Sequence, residues 1–353
     1  MRVFYKVMPH SVLFFRDPRP FTAGEQSLAR LQFPPRLTPF MGALRTKFLD
    51  IESRRNGKSI SDLFKDGIED KLKTISIFWF SLMKDGEPLI PVPFDAFSRW
   101  EKLNNDRFVF DDNHPLRVPL RQIMEKEKKT PAYLSIKGFI QYLNGQVPRE
   151  DEVLSFDEIY KIENRVGLTL TKDNKTSERS KFYRMSVARL KKGIEFLVGV
   201  EMDDGMLPKK FTTRLGGEGH ITVWEKTNKF KEPTEESGHF RELVALTHIP
   251  IKNDGTPDYE INNWCINKLD ITSGWDYREY RPKPLRKVLK PGSVLFVRRL
   301  NGAKPVVYKV SFKEGVDFMI LRDFAVKKDE YGYFLTVFNN GLAEPNTLFV
   351  VKK

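Results

Sequence analysis

The sequence predicts an α+β fold divided between two domains, and three observations carry that prediction. The chain has 353 residues, too long for one ordinary domain and matched to two of ~150 residues each. Its 28 Phe, 11 Tyr and 5 Trp supply enough apolar material for real cores, which excludes wholesale disorder. Its first hundred residues run strand, helix, strand, strand, the opening of a β-α-β-β-α-β ferredoxin-like unit.

The elements follow in order. Arg2 to Arg16 is rich in Val, Phe and Tyr and reads as a strand. Asp17 to Pro35 carries four prolines and Gly24 and reads as a loop. Thr38-Pro39 predicts a helix start capped by the threonine hydroxyl, and Met41, Leu44, Phe48 and Ile51 follow at helical spacing. Ile75 to Met83, ISIFWFSLM, reads as a buried strand. Asp85-Gly86 then turns the chain into an extended Pro88–Phe94. Glu125 to Lys129 reads as solvated surface, Tyr133 to Leu143 as a short helix, and Thr171 to Ser180 as a polar hairpin tip or loop. A second strand-rich half starts near Ile194, with strands expected at 194–202, 221–224, 242–251 and 293–298 and a polar loop at 226–238. The expected domains are 1–190 and 191–353.

The net charge is +13. Such a cation repels itself unless a polyanion is near, and nucleic acid is the commonest one; a lysine-rich solubilising surface is the alternative. The single cysteine, Cys265, allows neither an internal disulfide nor a multi-cysteine zinc site and fits a reducing cytoplasm. The N-terminus lacks a signal peptide's apolar core, and no run of ~18 apolar residues predicts a membrane span.

Three stretches could bind an anionic strand. In FFRDPRPFTAGE, Phe14 to Glu25, Arg16 and Arg19 flank Asp17 in a proline-opened loop. Guanidinium forks suit phosphate, and Phe15 and Phe21 could stack on bases; alternatively, Asp17 pairs with an arginine and pins the loop. In RLTPFMGALRTKF, a helix start follows Arg36 and precedes Arg45 and Lys47, so its amides and dipole favour an anion; the same residues also suit an ordinary amphipathic helix. In RLGGEGH, Arg214 to His220, the glycines Gly216, Gly217 and Gly219 let backbone approach a ligand or close a tight turn. A fourth basic stretch, REYRPKPLRKVLK from Arg278 to Lys290, could follow a phosphate backbone, meet an acidic partner protein, or be a solvated loop.

Catalytic patterns are sparse. His10, His114, His220, His239 and His248 form no metal-ligand pair, there is no G-x-S-x-G elbow, and Asp203-Asp204 reads as a turn closed by Gly205. His220 beside the glycines could act as a general base in RNA cleavage, although a phosphate or backbone contact is the commoner use of such a histidine.

The set FFRDPRPFTAGE, TPFMGALRTKFL, ENRVGLTLTKDNKTSERSKFYR (Glu163–Arg184) and RLGGEGH, in this order over roughly residues 1 to 225, with PGSVLFV later, resembles the third-subunit family of the Cmr complex. That complex is the type III-B CRISPR effector, and the family belongs to the RAMP superfamily. The chain is more loosely similar to the fourth subunit of the Csm complex. Pro18 stands where the family has glycine, and YGYFLTVFNNG only approximates the C-terminal glycine signature. The resemblance implies two ferredoxin-like, RRM-like domains and a non-catalytic subunit with no cofactor. It implies a subunit that holds the 5′ tag of the CRISPR RNA and docks the large polymerase-type subunit and the backbone RAMP subunits. It places Arg16, Arg19, Thr22 and the loop to Gly24 beside RNA. Arg36, Thr38, Arg45 and Lys47 would lie at phosphate, Lys181 and Tyr183 on a projecting hairpin, and Arg214, Gly216, Gly217, Gly219 and His220 in the glycine-rich loop. The same superfamily also holds endoribonucleases that process precursor CRISPR RNA, which leaves His220 or His10 as an alternative catalytic base.

Overall fold

The computed structural model describes residues 1–18, 28–96, 131–144, 146, 148–170, 177–231, 234–236, 241–252, 257–276, 281–300, 307–311, 317–322, 324–329, 332–337 and 348–352. Arg19, Thr22, the charged run at 125–129 and the hairpin tip at 171–176 lie outside them. The fold is mixed α+β, with strands predominating.

The first half supplies strands β1 (Arg2–Pro9), β2 (Leu28–Ala29), β3 (Ser76–Lys84), β4 (Glu87–Pro91), β5 (Pro131–Ser135), β6 (Val153–Ser155), β7 (Tyr160–Leu170) and β8 (Ser177–Leu190). Then come β9 (Ile194–Glu201), β10 (Lys210–Leu215) and β11 (His220–Thr227). Among the described residues eight of these form one sheet in the order β10-β11-β1-β9-β3-β4-β5-β6, and β2-β8-β7 form a small three-stranded sheet beside it in the chain. Pairing crosses the expected division at residue 190: β9 lies between β1 and β3, antiparallel to both.

Helix α1 (Leu37–Asn56) packs Leu37, Phe40, Met41, Leu44 and Phe48 inward, an apolar stripe at helical spacing. It ends at Gly57, whose left-handed backbone returns its N–H to the Ser53 carbonyl. The cap differs from the sequence expectation. The N-cap is Arg36, without a side-chain cap bond, and Thr38 lies inside the first turn. Pro39 is tolerated at the third helical position because amides there have no intrahelical partner to lose. Shorter helices are α2 (Ile60–Lys65), α3 (Glu69–Thr74), α4 (Ile136–Leu143) and α5 (Phe156–Ile159). The expected helix from Tyr133 begins only at Ile136, because Ser135 accepts the Gly138 amide at 3.0 Å and fixes the start. The expected strand to Arg16 stops at Pro9, after which only single bridges remain at Leu13 and Arg16.

A second, mostly antiparallel sheet holds twelve strands between Thr234 and Lys352, with no α-helix among the described residues there. The expected strand 242–251 is two, Glu242–Ala245 and Ile249–Lys252. The side-chain period of two shows how the sheets meet. Val244, Leu246, Val294 and Leu348 join the core of the first sheet, while their neighbours Leu243, Ala245, Leu295 and Phe349 build a separate core behind. The first sheet is likewise covered on both faces. On β3, Phe80 meets Phe40 of α1 with ring centroids 4.8 Å apart, and Trp79 meets Phe318 of the second sheet at 6.2 Å. Two-sided burial explains why ISIFWFSLM is continuously apolar.

Phe40 is fully buried and touches rings on three strands or segments besides β3: Phe196 at 5.0 Å, Trp224 at 6.2 Å and Phe15 at 6.2 Å. Phe40→Ala should cost about 3–5 kcal/mol of stability. Chemical denaturation measures this, and a loss below ~1 kcal/mol would mean α1 is anchored elsewhere.

Candidate nucleic-acid interface

The segment after β1 is stitched into three neighbours by its backbone. Leu13 exchanges hydrogen bonds with Ala188 of β8, at 2.7 and 2.8 Å. The Phe14 carbonyl accepts the Gly217 amide at 2.8 Å, and the Phe15 carbonyl accepts the Gln32 amide at 2.7 Å. The two phenylalanines face opposite ways. Phe14 packs with Val12, Ala29, Met185 and Val187 under the hairpin, whereas Phe15 joins the main core against Phe40. Phe15 is therefore a core residue and not the base-stacking platform expected from sequence.

The glycines serve this contact. Gly216 has φ of 74°, and a Cβ there would lie 2.5 Å from the Phe14 carbonyl oxygen. A Cβ on Gly217 would lie 2.8 Å from the Phe14 ring. The glycine-rich turn between β10 and β11 is thus shaped by its own chain, and it is exposed on its outer side, with Gly216, Gly217 and Glu218 at the surface. Gly219 closes the turn against the Arg214 side chain.

Exposed guanidinium groups surround this junction. Arg16 follows the stitched segment and bridges to Leu31, and the adjacent Arg30 carbonyl accepts the Asp17 amide at 3.0 Å. Arg184 on β8 is in register with Leu28 of β2. Arg214 is exposed at the end of β10. Arg165 on β7 is exposed and lies close enough to His220 to help hold its imidazolium form down. Burial is the larger cause of that lowering, and Glu218 opposes it. The His220 Nδ1 lies 3.4 Å from the Ser11 hydroxyl. Tyr183 stands opposite Gly167 in the β7–β8 hairpin with its ring over the glycine, which leaves no room for a Cβ. Lys181 lies on β8 in the same hairpin.

Of the residues expected at the helix start, Arg36 and Lys47 have partners within the chain. Arg36 is half-buried: its guanidinium donates to the Gln32 side chain and to the Ser273 carbonyl of the second sheet. Burial pushes it down to about 10, against the attraction of Asp270 and Asp17. Gln32 also donates to Asp270 at 2.8 Å. His248 lies 3.9 Å from Asp270 and is held neutral, at about 4, by burial and then by Arg36. Arg36 thus ties the α1 entrance to the second sheet. Lys47 pairs with Asp50 at 3.3 Å, and Arg45 is half-buried on α1. Thr38 lies in the first helical turn. Sequence reasoning did not single out Arg30, Arg165 or Arg184. The last two sit inside a quoted motif, and the antiparallel register puts them on opposite faces of the hairpin, Arg165 opposite the buried Met185 and Arg184 opposite the exposed Val166. Among the described residues no group of three His, Cys, Asp or Glu side chains could hold a metal ion, and no helix is long and apolar enough to cross a membrane.

Arg184→Ala and Arg214→Ala should each reduce the log–log salt dependence of single-stranded RNA binding by about 0.7 with thermal stability unchanged. Arg36→Ala should instead cost about 1.5–3 kcal/mol of stability and leave the salt dependence intact. Titrations at several salt concentrations, with melting curves, separate the two; the reverse pattern would contradict the assignment.

The chain matches the family of CRISPR-associated proteins described as Cas_Cmr3 over residues 5–312. Among solved structures it is similar to a chain of the type III-B Cmr-beta complex bound to cognate target RNA, at 18% identity and TM-score 0.53, covering 83% of this chain and 86% of that one. The same complex with target RNA and AMPPnP gives 18% identity, the same coverages and a TM-score of 0.49. A chain of the Csm3-Csm4 subcomplex of the type III-A interference complex gives 14% identity and 0.45, covering 96% and 100%. No curated protein sequence matches. The likeness at TM-score 0.53 shows a shared fold.

Proposed function

The chain belongs to the Cas_Cmr3 family of CRISPR-associated proteins, and from that membership we propose that it is a non-catalytic, RNA-binding subunit of a type III-B CRISPR effector. In this reading it holds the 5′ tag of the CRISPR RNA and docks the large polymerase-type subunit and the backbone RAMP subunits, and it works in the cytoplasm. The observation that carries the RNA-binding part is the set of exposed arginines, Arg16, Arg30, Arg165 and Arg214 on the segments that meet at the glycine-rich turn, with Arg184 on the outer face of the adjoining hairpin. Guanidinium groups on a rigid backbone junction can follow a phosphate chain without reading its bases, and sequence is then left to the guide.

The strand order β11-β1-β9-β3, with α1 between β1 and β3 in sequence, supports a ferredoxin-like reading of the first half. The hairpin-forming β10 and the glycine turn stand where a second helix would lie. We read the second sheet as a heavily elaborated counterpart.

The geometry gives His220 a hydroxyl neighbour and a nearby guanidinium, a setting suited to contacting a phosphate as an uncharged group. Purification with its cognate subunits should yield a short guide RNA whose 5′ end crosslinks to this chain. The isolated chain should leave repeat RNA uncut without metal. Cleavage abolished by His220→Ala would replace this reading with the endoribonuclease one.

A further inference from the structure

At the far edge of the second sheet, the strand Asp270–Thr272 pairs only with Arg286–Leu289 among the described residues. Its two faces are used in opposite ways. Inward, Asp270 accepts the Gln32 side chain at 2.8 Å and faces the buried His248. Outward, Ile271 is 47% exposed, with the exposed Lys287 opposite it. The same margin holds Leu269, 42% exposed, and Leu285, 61% exposed. Three large aliphatic side chains this accessible, on one short margin, are an unusual surface for a monomer to leave to water.

We propose that this margin is a docking surface for another protein subunit of the effector, one that presents an aliphatic patch rimmed by carboxylates. The proposal rests on the effector-subunit reading above and adds to it a place and a partner chemistry. Two observations select a protein over RNA, and a third selects the kind of protein. The exposed groups are aliphatic, whereas unpaired bases are held by aromatic or guanidinium stacking. The flanking exposed residues Lys268 and Lys287 put full positive charges around an apolar centre, the layout of a protein interface with a polar rim. Those cations on a chain of net charge +13 repel a basic subunit and steer an acidic one.

The margin is also held in place before any partner arrives. The Ser273 hydroxyl donates to the Lys283 carbonyl at 2.5 Å, the Lys283 amide to the Gly274 carbonyl at 2.9 Å, and Arg36 grips the Ser273 carbonyl from behind. A preformed surface loses little conformational freedom on binding. The Ile271 amide is bonded to the Asp270 carboxylate at 2.8 Å, so side chains and not an added strand carry the contact. This gives the described part of the basic stretch, residues 281–290, a role the RNA reading does not use.

The test is reconstitution of the complete complex with guide RNA, comparing the wild-type chain with the double variant Ile271→Thr, Leu285→Ser. Incorporation of the variant should fall at least tenfold while its affinity for single-stranded RNA stays within twofold. Normal incorporation overturns the docking surface and leaves the effector reading standing, and so does a variant that loses RNA affinity, which would make the margin an RNA surface. A wild-type chain that never enters the complex overturns both. Hydrogen exchange on wild-type protein avoids any folding defect of the variant: amides 269–272 and 285–287 should slow on assembly, and unchanged exchange there overturns the proposal.

Discussion

One carbonyl oxygen organises the end of the molecule that carries the glycine-rich turn. The Phe14 carbonyl sits under the glycine-rich turn, accepts the Gly217 amide and leaves no space for a Cβ on Gly216. Because the neighbouring Leu13 is bonded on both its N–H and C=O to Ala188, the same short segment fixes the turn to the β7–β8 hairpin. Phe14 and Phe15, buried in two different cores, prevent the segment from sliding. The exposed arginines come from five separate stretches of chain, which this junction and the β2-β8-β7 pairing bring together.

The basic residues divide by environment and not by spacing. Arg184 and Arg214 stand in water, where their charge is available to a phosphate strand at little desolvation cost. Arg36 has lost much of its water and recovers by donating to Gln32 and Ser273, with Asp270 and Asp17 near. Removing it would leave the Gln32 and Ser273 oxygens without that donor in a partly buried junction. That junction joins the two sheets at their polar end, and Trp79, Phe139 and Phe318 join them at their apolar end.

The elements that depend on local pattern were legible in the sequence. α1, β3 and β9 lie where apolar spacing put them, and the ordered motifs pointed to the right family. What local pattern did not carry was set by partners distant in sequence. A period-two pattern cannot say that β9 inserts between β1 and β3, so a boundary at residue 190 looked natural although pairing crosses it. Thr38 had the chemistry of a cap, but the helix starts one residue earlier. Arg36 looked like a phosphate ligand because its acceptors, Ser273 and Asp270, are more than 230 residues away. The glycines were read as room for a ligand or as a tight turn, and Phe14 packs against the inner side of that turn.

The central claim is that backbone geometry at the glycine-rich turn, and not charge alone, creates the RNA surface. Gly216→Ala tests it most directly, because it removes no charge while forcing a side chain at positive φ into the Phe14 carbonyl. Measured on folded protein at fixed salt, affinity for single-stranded RNA should fall about tenfold or more, the scale of losing ~1.4 kcal/mol of binding. Affinity equal to that of the wild type would contradict the account.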